Sequence, residues 1–371
     1  MDQFKQQKNC RLLYLVGELR NGGSERQLYY LLRSVDRDRY KPQVVVWNFR
    51  EQDKYVSAVR DLGVSLYPFQ ESCPGAAKIR KLREIICRYV PDLIHSYSFY
   101  LNFAAYSAAW STRTVAIGSV RGEFEELKKD NGRWLGSLSA RWPRHQIVNN
   151  ESAAQSMREV GGRFVPHQIS VVRNGLDLNY FRVASLKSSK RPSIVGVGSL
   201  IPIKRWDRLI SAAQQLKRRG LEFLVRIVGD GVVRKSLEEQ AQRLKVEECV
   251  ELIGQSDDIP AVLAEATVLA HTSNSEGCPN VVMEAMACAR PVIATKVGDV
   301  PGLVEDGKTG FVVPPGDEAL LVDRLSQLLM DFRLCEAMGK AGREKAEREF
   351  GLDRLVAQTF AAYQAAGWRG A

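Results

Sequence analysis

Two glutamates, Glu276 and Glu284, stand eight positions apart around a loop that opens a helix. The apolar run 268–270 predicts a buried strand before the loop, and helix-forming residues follow it as far as Pro291. A helix begins with backbone N–H groups that lack intrahelical partners and with a partial positive charge, so the segment after Glu276 could hold a phosphate. The candidate donors are the backbone amides of Gly277, Cys278, Asn280 and Val281.

A carboxylate beside a phosphate would be repelled by it, so Glu276 and Glu284 are better suited to accept hydrogen bonds from neutral hydroxyls. Sugar and ribose hydroxyls meet that need. The alternative is an ordinary capped helix with a solvated glutamate, because short motifs of this kind match many unrelated helices. The rest of the chain decides between the two interpretations.

Other loops add small turns and a cation. Gly198, Ser199 and Leu200 form a small turn that precedes Lys204, a combination that suits a diphosphate. Glycines also lie where a strand gives way to a helix, which removes side chains where a phosphate could come close. These glycines are Gly22, Gly23, Gly229 and Gly231.

The elements that position these loops are apolar strands alternating with helices, a pattern that predicts parallel sheets covered on both faces. We expect an α/β protein with two Rossmann-like, doubly wound domains that face each other across a cleft. The predicted boundaries are 1–183 for an N-terminal domain, 184–192 for a linker, 193–350 for a C-terminal domain, and 351–371 for a helix that could pack back on the first domain.

Composition narrows the function classes. The 371 residues are 45% hydrophobic and 26% charged, which is typical of a globular protein. No run of 18 apolar residues and no signal-type segment is present, so we expect a cytoplasmic protein. The seven cysteines show no metal-ligand spacing, so no metal is predicted. No other cofactor is expected.

The net charge of +10 indicates acidic partners. A basic amphipathic pattern spans 78–88, and arginine alternates with tryptophan over 133–144. Both patterns are compatible with peripheral contact to an anionic membrane at its inner face, or with surface helices whose side-chain stems cover the core. No helix-turn-helix pattern or RNA-binding aromatic signature is present, so nucleic acid is not an expected partner.

Taken together, these motifs resemble the retaining glycosyltransferases of family 4, the glycosyl transferases group 1, which adopt the GT-B fold and use nucleotide-sugar donors. The resemblance covers nearly the whole chain and is densest from 195 to 315. Its most specific part is the E-x7-E spacing of Glu276 and Glu284. The segments 21–26 and 173–177, the latter followed by Phe181, are also similar to the family's glycine loop and to the segment that ends its first domain.

The resemblance implies a role for each matching residue. Glu276 would contact hydroxyls of the donor sugar and Glu284 the ribose. Lys204 would neutralise the diphosphate, together with the backbone amides that follow Glu276. Gly22 and Gly23 would let the first domain approach the donor phosphates and the acceptor.

The chain departs from the family pattern at two places. Many relatives carry an arginine where Ser199 stands, so Arg205 could replace the missing phosphate cation. Many also carry a histidine near the reacting carbon, in the region that here contains Arg121. Either Arg121 or His95, which ends a neighbouring predicted strand, could take that catalytic position.

The resemblance implies transfer of a hexosyl unit, with retention and without a metal, from a nucleotide diphosphate sugar to a hydroxyl. UDP is the default nucleotide, and the expected acceptor is a polysaccharide, a lipopolysaccharide or a lipid-linked glycan, which would place the enzyme in cell-envelope biosynthesis. One alternative is a nucleotide-sugar epimerase of the same fold. Another is a non-catalytic protein that binds anionic surfaces.

Overall fold

The computed structural model describes residues 9–162, 164–186 and 190–370, which form two units. The first unit contains the described residues up to Gly175 and those from Leu352 onward, and the second contains Leu176–Gly351. Each unit has one parallel sheet with helices packed on it. The predicted α/β architecture of two doubly wound domains is therefore confirmed.

The strands divide between the two sheets. Those of the first unit are β1 Cys10–Val16, β2 Tyr40–Val46, β3 Ser65–Pro68, β4 Leu93–Ser96, β5 Val115–Val120, β6 His145–Val148 and β7 Gln168–Val171. Those of the second unit are β8 Ser193–Val197, β9 Leu224–Val228, β10 Val250–Gly254, β11 Val268–His271, β12 Val292–Thr295 and β13 Gly310–Val313.

The helices follow the strands in chain order. They are α1 Gly23–Ser34, α2 Lys54–Asp61, α3 Gly75–Tyr89, α4 Asn102–Ala109, α5 Phe124–Asp130, α6 Ser137–Arg141, α7 Glu151–Val160, α8 Trp206–Arg218, α9 Arg234–Arg243, α10 Ile259–Ala264, α11 Asn280–Ala287, α12 Val300–Leu303, α13 Glu318–Met330, α14 Phe332–Glu349 and α15 Leu352–Ala365. Short 3-10 turns at Phe99–Leu101 and Pro202–Lys204 and a π-helical turn at Gly132–Gly136 complete the set.

Both sheets have the strand order of a doubly wound fold. The first runs β3-β2-β1-β4-β5-β6-β7 and the second β10-β9-β8-β11-β12-β13, and the strand pairs in both are parallel. The order reverses between β1 and β4 in the first sheet and between β8 and β11 in the second. Ligands of such sheets bind beyond the carboxyl ends of the strands at this reversal. The loops after β8 and β11 therefore lie where a ligand site is expected.

Burial on both faces explains the near-continuous apolar strands. In β1, Leu12 and Tyr14 pack in one hydrophobic cluster, while Leu13 and Leu15 pack in another. Successive side chains of a strand point to opposite faces, so a strand covered on both sides must be apolar at nearly every position. The same pattern makes β11 fully buried.

The chain passes from the first unit to the second at Gly175 and Leu176, not at the predicted residue 183. The buried side chain of Gln27 donates to the Gly175 carbonyl at 2.9 Å and accepts from its N–H at 2.6 Å, which holds this point on the first unit. Leu176 instead donates its N–H to Phe350 at 2.7 Å and packs in the second core. The amino-acid composition indicates where the polar segment lies, but not where the chain passes from the first unit to the second.

The predicted linker 184–192 belongs to the second unit where it is described, and residues 187–189 lie outside the described residues. The Ala184 carbonyl accepts a 2.7 Å hydrogen bond from Arg290. Helix α15 belongs to the first unit, where Tyr363 is fully buried.

The basic pattern of α3 does not form a purely solvent-facing surface. Lys78 is 2% exposed and donates to the Trp47 carbonyl and to Asn48 Oδ1, both at 2.8 Å, and burial lowers its pKa. Arg83 donates to the Trp110 carbonyl at 2.7 Å. Part of the predicted basic surface is thus used in tertiary structure. Along the described stretches of the chain, no helix combines the length and the hydrophobicity needed to span a bilayer.

Candidate active site

Glu276 is the centre of a hydrogen-bonded network in the second unit. Its Oε1 atom accepts from Lys204 Nζ at 2.5 Å, from Ser273 Oγ at 2.6 Å and from His271 Nε2 at 3.0 Å. The Glu276 side chain is 13% exposed and that of Lys204 is 23% exposed. Among the described residues none donates to Oε2, so this oxygen remains available to a ligand hydroxyl.

The network keeps Glu276 ionised. Burial alone would raise its pKa, but the hydrogen bond and charge of His271, followed by those of Lys204, outweigh burial and lower the pKa to about 2. A carboxylate in this state only accepts hydrogen bonds, so the His271 imidazole donates through Nε2–H. Glu276 is therefore suited to bind hydroxyls rather than to deliver a proton.

The loops after β8 and β11 are joined to each other, which fixes Lys204 beside Glu276. Thr272 Oγ1 lies 3.0 Å from the carbonyl oxygens of both Lys204 and Arg205. The backbone N–H of Asn274 donates to the Ile203 carbonyl at 2.8 Å. Such cross-linked loops hold a charged pair in one geometry, which preorganises the site.

Arg205 differs from the prediction that it supplies a second phosphate cation. Its guanidinium pairs with Asp207, with Nε–Oδ1 at 2.9 Å and Nη2–Oδ2 at 2.8 Å. The backbone of Arg205 is left-handed, with φ of 52°. Both cations of this loop are thus paired with a carboxylate, Arg205 with Asp207 and Lys204 with Glu276.

Gly229 contributes to packing between loops. A Cβ at this position would lie 1.9 Å from the Gly198 carbonyl oxygen, so only glycine allows the loop after β9 to approach the loop after β8. The predicted nucleotide-binding residue Ser199 is exposed, and its carbonyl accepts from Trp206 Nε1 at 3.0 Å. Gly229 thus shapes the site by supporting the turn that contains Ser199.

The segment 277–281 leads into α11 as predicted, since the helix begins at Asn280. Gly277 is half-buried and its carbonyl accepts from the Asp299 N–H at 2.9 Å, while Asn280 and Val281 are also half-buried. Within the first turn of α11, the Val282 N–H donates to the Pro279 carbonyl at 3.2 Å.

Two of the predicted nucleotide-binding residues in this region are buried. Cys278 is 8% exposed, and its Sγ lies 3.7 Å from the Met283 sulfur. These surroundings indicate that the thiol has a structural role. Glu284 lies in α11 and is 3% exposed. Contact between Glu284 and a ribose hydroxyl therefore requires its carboxylate to become more accessible.

His95 of the first unit is a buried packing residue rather than an open catalytic group. It is fully buried, with Nδ1 2.8 Å from the Tyr363 hydroxyl and Nε2 2.9 Å from Ser119 Oγ. Burial, and next the positive charge of Arg121, hold its pKa well below the usual value, so the ring is neutral. Both ring nitrogens are satisfied, which argues against the predicted catalytic alternative.

Arg121 follows β5 directly and stacks its guanidinium over the Tyr97 ring at 4.2 Å. Its Nη1 lies 3.5 Å from Asn174 Oδ1, and its buried Nε has no hydrogen-bond partner among the described residues. Glu25 is close enough for Arg121 to lower its pKa, although burial, the larger effect, raises it. Of the two candidates, Arg121 is the one at the ligand-binding edge of the sheet.

Gly22 and Gly23 lie at the start of α1 on that same edge. A Cβ on Gly22 would lie 2.1 Å from Glu25 Oε2, and Gly23 is exposed. Among the described residues no group of three or more His, Cys, Asp or Glu side chains could hold a metal ion.

Two family models match consecutive parts of the chain. The Glycosyltransferase Family 4 model matches residues 21–180 and the Glycosyl transferases group 1 model matches residues 179–345. The chain belongs to these GT-B glycosyltransferases. The two matches together include every candidate residue of both units, from Gly22 to Glu284.

The curated relatives of the chain agree with the family assignment. The chain is 32% identical over 203 residues to the putative colanic acid biosynthesis glycosyltransferase WcaL of Salmonella typhimurium, which covers 52% of this chain and 50% of WcaL. It is 37% identical over 165 residues to the GDP-mannose-dependent alpha-(1-6)-phosphatidylinositol monomannoside mannosyltransferase of Mycolicibacterium smegmatis, with 42% of this chain and 43% of that protein covered. The chain spans about half the length of the curated relatives it matches.

The fold comparison covers more of the chain. The crystal structure of Anabaena Alr3699/HepE in complex with UDP superposes with a TM-score of 0.82 at 22% identity, covering 96% of this chain and all of that one. This similarity supports the GT-B fold.

His271 and Ser273 are site residues that the sequence analysis missed. The predicted strand ended at Ala270, whereas β11 includes His271. A polar residue that ends a buried strand at the carboxyl edge of a parallel sheet is a signal that could have found it. Since His271 acts on Glu276 rather than on a substrate, it is a positioning residue.

We expect His271→Ala to lower kcat/KM by on the order of tenfold to a hundredfold, the range known for residues that orient metal ligands. The variant removes a donor from Glu276, so the pKa of Glu276 should rise and an acid limb should appear in the pH profile. His271→Gln keeps an N–H donor and should restore most of the activity. Steady-state kinetics from pH 4 to 8 test this, and equal profiles for the alanine variant and the wild type would refute it.

Proposed function

We propose that the chain transfers a hexosyl unit from a UDP-sugar to a hydroxyl of a polysaccharide, lipopolysaccharide or lipid-linked glycan, with retention at the anomeric carbon. The observation that carries the proposal is the Glu276 network, in which Lys204, Ser273 and His271 hold one carboxylate oxygen while no described residue donates to the other. Membership of the family supports the reaction class.

The chemistry can be assigned to groups of the second unit. Hydroxyls of the donor sugar donate to Glu276 Oε2, which orients the ring. Lys204 Nζ and the first-turn amides of α11 stabilise the diphosphate as negative charge develops on it. Because its pKa of about 2 keeps Glu276 deprotonated, the leaving group does not take a proton from this residue.

Retention then follows from attack on the face that the leaving group vacates. The bond from the anomeric carbon to the phosphate oxygen breaks, and its electron pair stays on the diphosphate. The acceptor oxygen forms the new bond on the same face and transfers its proton to the released phosphate oxygen. This route requires neither a protein nucleophile nor a metal ion, and we propose that the enzyme uses none.

Two nucleotides, UDP and GDP, are candidates for the donor. HepE, which matches almost the full chain in fold, is described in complex with UDP and with UDP-glucose, and this supports UDP. The mycobacterial relative is named as GDP-mannose-dependent. UDP remains our proposal, with GDP-mannose as the comparison.

The acceptor is proposed to be a glycan of the cell envelope, since one relative is named for colanic acid biosynthesis and another for a phosphatidylinositol mannoside. In the first unit we assign substrate contact to Arg121, Gly22 and Gly23. Peripheral contact with an anionic membrane is supported by Trp134, which is 79% exposed, and by its neighbours Arg133 and Leu135.

A panel of nucleotide sugars tests the donor. We expect a UDP-sugar to raise the melting temperature by several degrees in EDTA, because a ligand that binds only the folded state stabilises it by mass action. Lys204→Ala should abolish the increase. Stabilisation by GDP-mannose alone would overturn the choice of UDP, and conversion of the donor sugar without any acceptor would favour an epimerase instead.

A further inference from the structure

The first unit has a cavity of about 670 Å³ that the proposed transfer does not use. Its wall includes Val115, His145 and Gln168, which are the first residues of β5, β6 and β7. Arg121 follows the opposite end of β5, and a six-residue strand is about 20 Å long. The cavity therefore lies at the amino edge of the sheet, remote from the carboxyl edge where Arg121 stands.

Aromatic rings form one wall of this cavity. Tyr106 stacks on Trp142 with ring centroids 4.3 Å apart and meets Trp110 edge-on at 5.5 Å. Tyr106 and Trp142 are half-buried, whereas Trp110 is 61% exposed. Trp110 is thus an exposed ring that contacts a half-buried aromatic neighbour.

The wall is held in place by hydrogen bonds. Arg83 Nη1 donates to the Trp110 carbonyl at 2.7 Å and to the Ala108 carbonyl at 3.2 Å. The backbone N–H groups of His167 and Gln168 donate to the Arg144 carbonyl at 2.8 and 3.0 Å. A site fixed in this way loses little conformational freedom when a ligand binds.

The polar groups of the cavity are donors and neutral acceptors. The His145 ring lies between Gln168 Oε1, at 3.1 Å, and Ser170 Oγ, at 2.9 Å, and burial lowers its pKa so that it stays neutral. Arg144 is exposed at the rim with its guanidinium 5.2 Å from the Trp142 ring centroid. Among the described residues that line the cavity, none is acidic.

We propose that this cavity binds a carboxylate-bearing sugar unit of a glycan. The apolar C–H face of a pyranose would pack on the exposed Trp110 ring, whose face is electron-rich. Its hydroxyls would meet the side chains of Gln168, His167 and Ser111, and its carboxylate would pair with Arg144. A small number of directed polar groups beside an apolar wall is the usual form of a small-molecule site.

A lipid surface is a less suitable occupant, because the directed polar groups lie inside a concavity. Exposed Trp134 lies outside this cavity lining and serves as the matched control. The inference concerns binding alone and does not rest on the proposed transfer. Its consequence is that a glycan could be held by the first unit at a place separate from the site of chemistry.

Titration with tetragalacturonic acid and with its methyl-esterified form, followed by tryptophan fluorescence and saturation-transfer NMR, tests the proposal. We expect both to bind, the acid more tightly. Trp110→Ala should weaken the binding of both saccharides by about tenfold or more, the loss typical of an aromatic side chain that becomes buried in a complex. Arg144→Gln should remove the preference for the acid. Trp134→Ala should leave both affinities unchanged.

Three outcomes would overturn the proposal. The first is that neither tetrasaccharide binds at millimolar concentration. The second is that Trp110→Ala and the wild type bind the saccharides with equal affinity. The third is that the protein binds anionic phospholipid vesicles but no saccharide, and that Trp110→Ala loses the vesicle binding. Circular dichroism checks folding, and if Trp110→Ala is unfolded, the charge preference of Arg144→Gln decides. Glu276→Gln should bind both saccharides as the wild type does, which separates this site from transfer activity.

Discussion

Replacing Glu276 by glutamine should lower kcat for sugar transfer by about 10²–10³, the loss seen when one preorganised polar group is removed from an active site. The amide has nearly the same shape, but it carries no charge and one of its two terminal atoms cannot accept a hydrogen bond. Lys204 would lose the negative charge of its 2.5 Å partner, and a single amide oxygen would remain to accept from both Lys204 and the donor sugar. Initial rates with saturating donor measure the effect.

The second unit provides a matched control for this change. Lys217 and Glu248 form another lysine–glutamate pair at 2.6 Å, with side chains 41% and 69% exposed. Exposed pairs contribute little to stability, so Glu248→Gln should fold and transfer as the wild type does. Equal activity of Glu276→Gln and Glu248→Gln would contradict the proposed role of Glu276.

The pH dependence of Glu276 has a definite sign. Its folded pKa of about 2 lies below the usual 4.5, so its ionised form stabilises the fold above pH 4.5. That contribution, roughly 3 kcal/mol from the shift, should be lost as the pH falls from about 4.5 toward 2 in the wild type and be absent in Glu276→Gln. Urea unfolding at pH 7 and pH 3.5 compares them.

Replacing Lys204 by alanine should have the second largest effect, a fall in kcat/KM of about 10²–10³. Lys204 is the cation beside Glu276, and Arg205 is compensated by Asp207. Ser273 and His271 still donate to Glu276 in this variant, so the fold should persist. Affinity for the free nucleoside diphosphate should fall together with turnover.

Lys217→Ala is the corresponding control, because it removes a lysine from the exposed pair. The double variant Lys204→Ala, Glu276→Gln should lose less activity than the sum of the single losses in free energy, since the two residues share one contact. Unimpaired nucleotide affinity in Lys204→Ala would show that the diphosphate is held elsewhere.

Sequence periodicity was sufficient to predict the fold. The run 268–270 is apolar without alternation because both faces of the strand are buried, and it lies in strand β11 of the structure. The domain boundary was missed because it depends on a long-range pair, Gln27 with Gly175, which local composition does not report.

The candidate site was predicted in part. Glu276 and Lys204 were identified from loop position and spacing, and the structure brings them into contact. Ser273 and His271 were missed because their role depends on which strand ends meet, and His95 was overestimated because its partner Tyr363 is 268 residues away. Contacts of this range are set by topology rather than by local pattern.

Helix α15 gives the order of synthesis a consequence for folding. The second unit is one continuous stretch, Leu176–Gly351, so all of it leaves the ribosome before α15 does. The first unit lacks Tyr363, the partner of His95, until the residues after Leu352 have been made. Domains generally fold as units during synthesis. We therefore expect this part of the core of the nascent first unit to stay incomplete until α15 has been made. The second unit can already fold before that point.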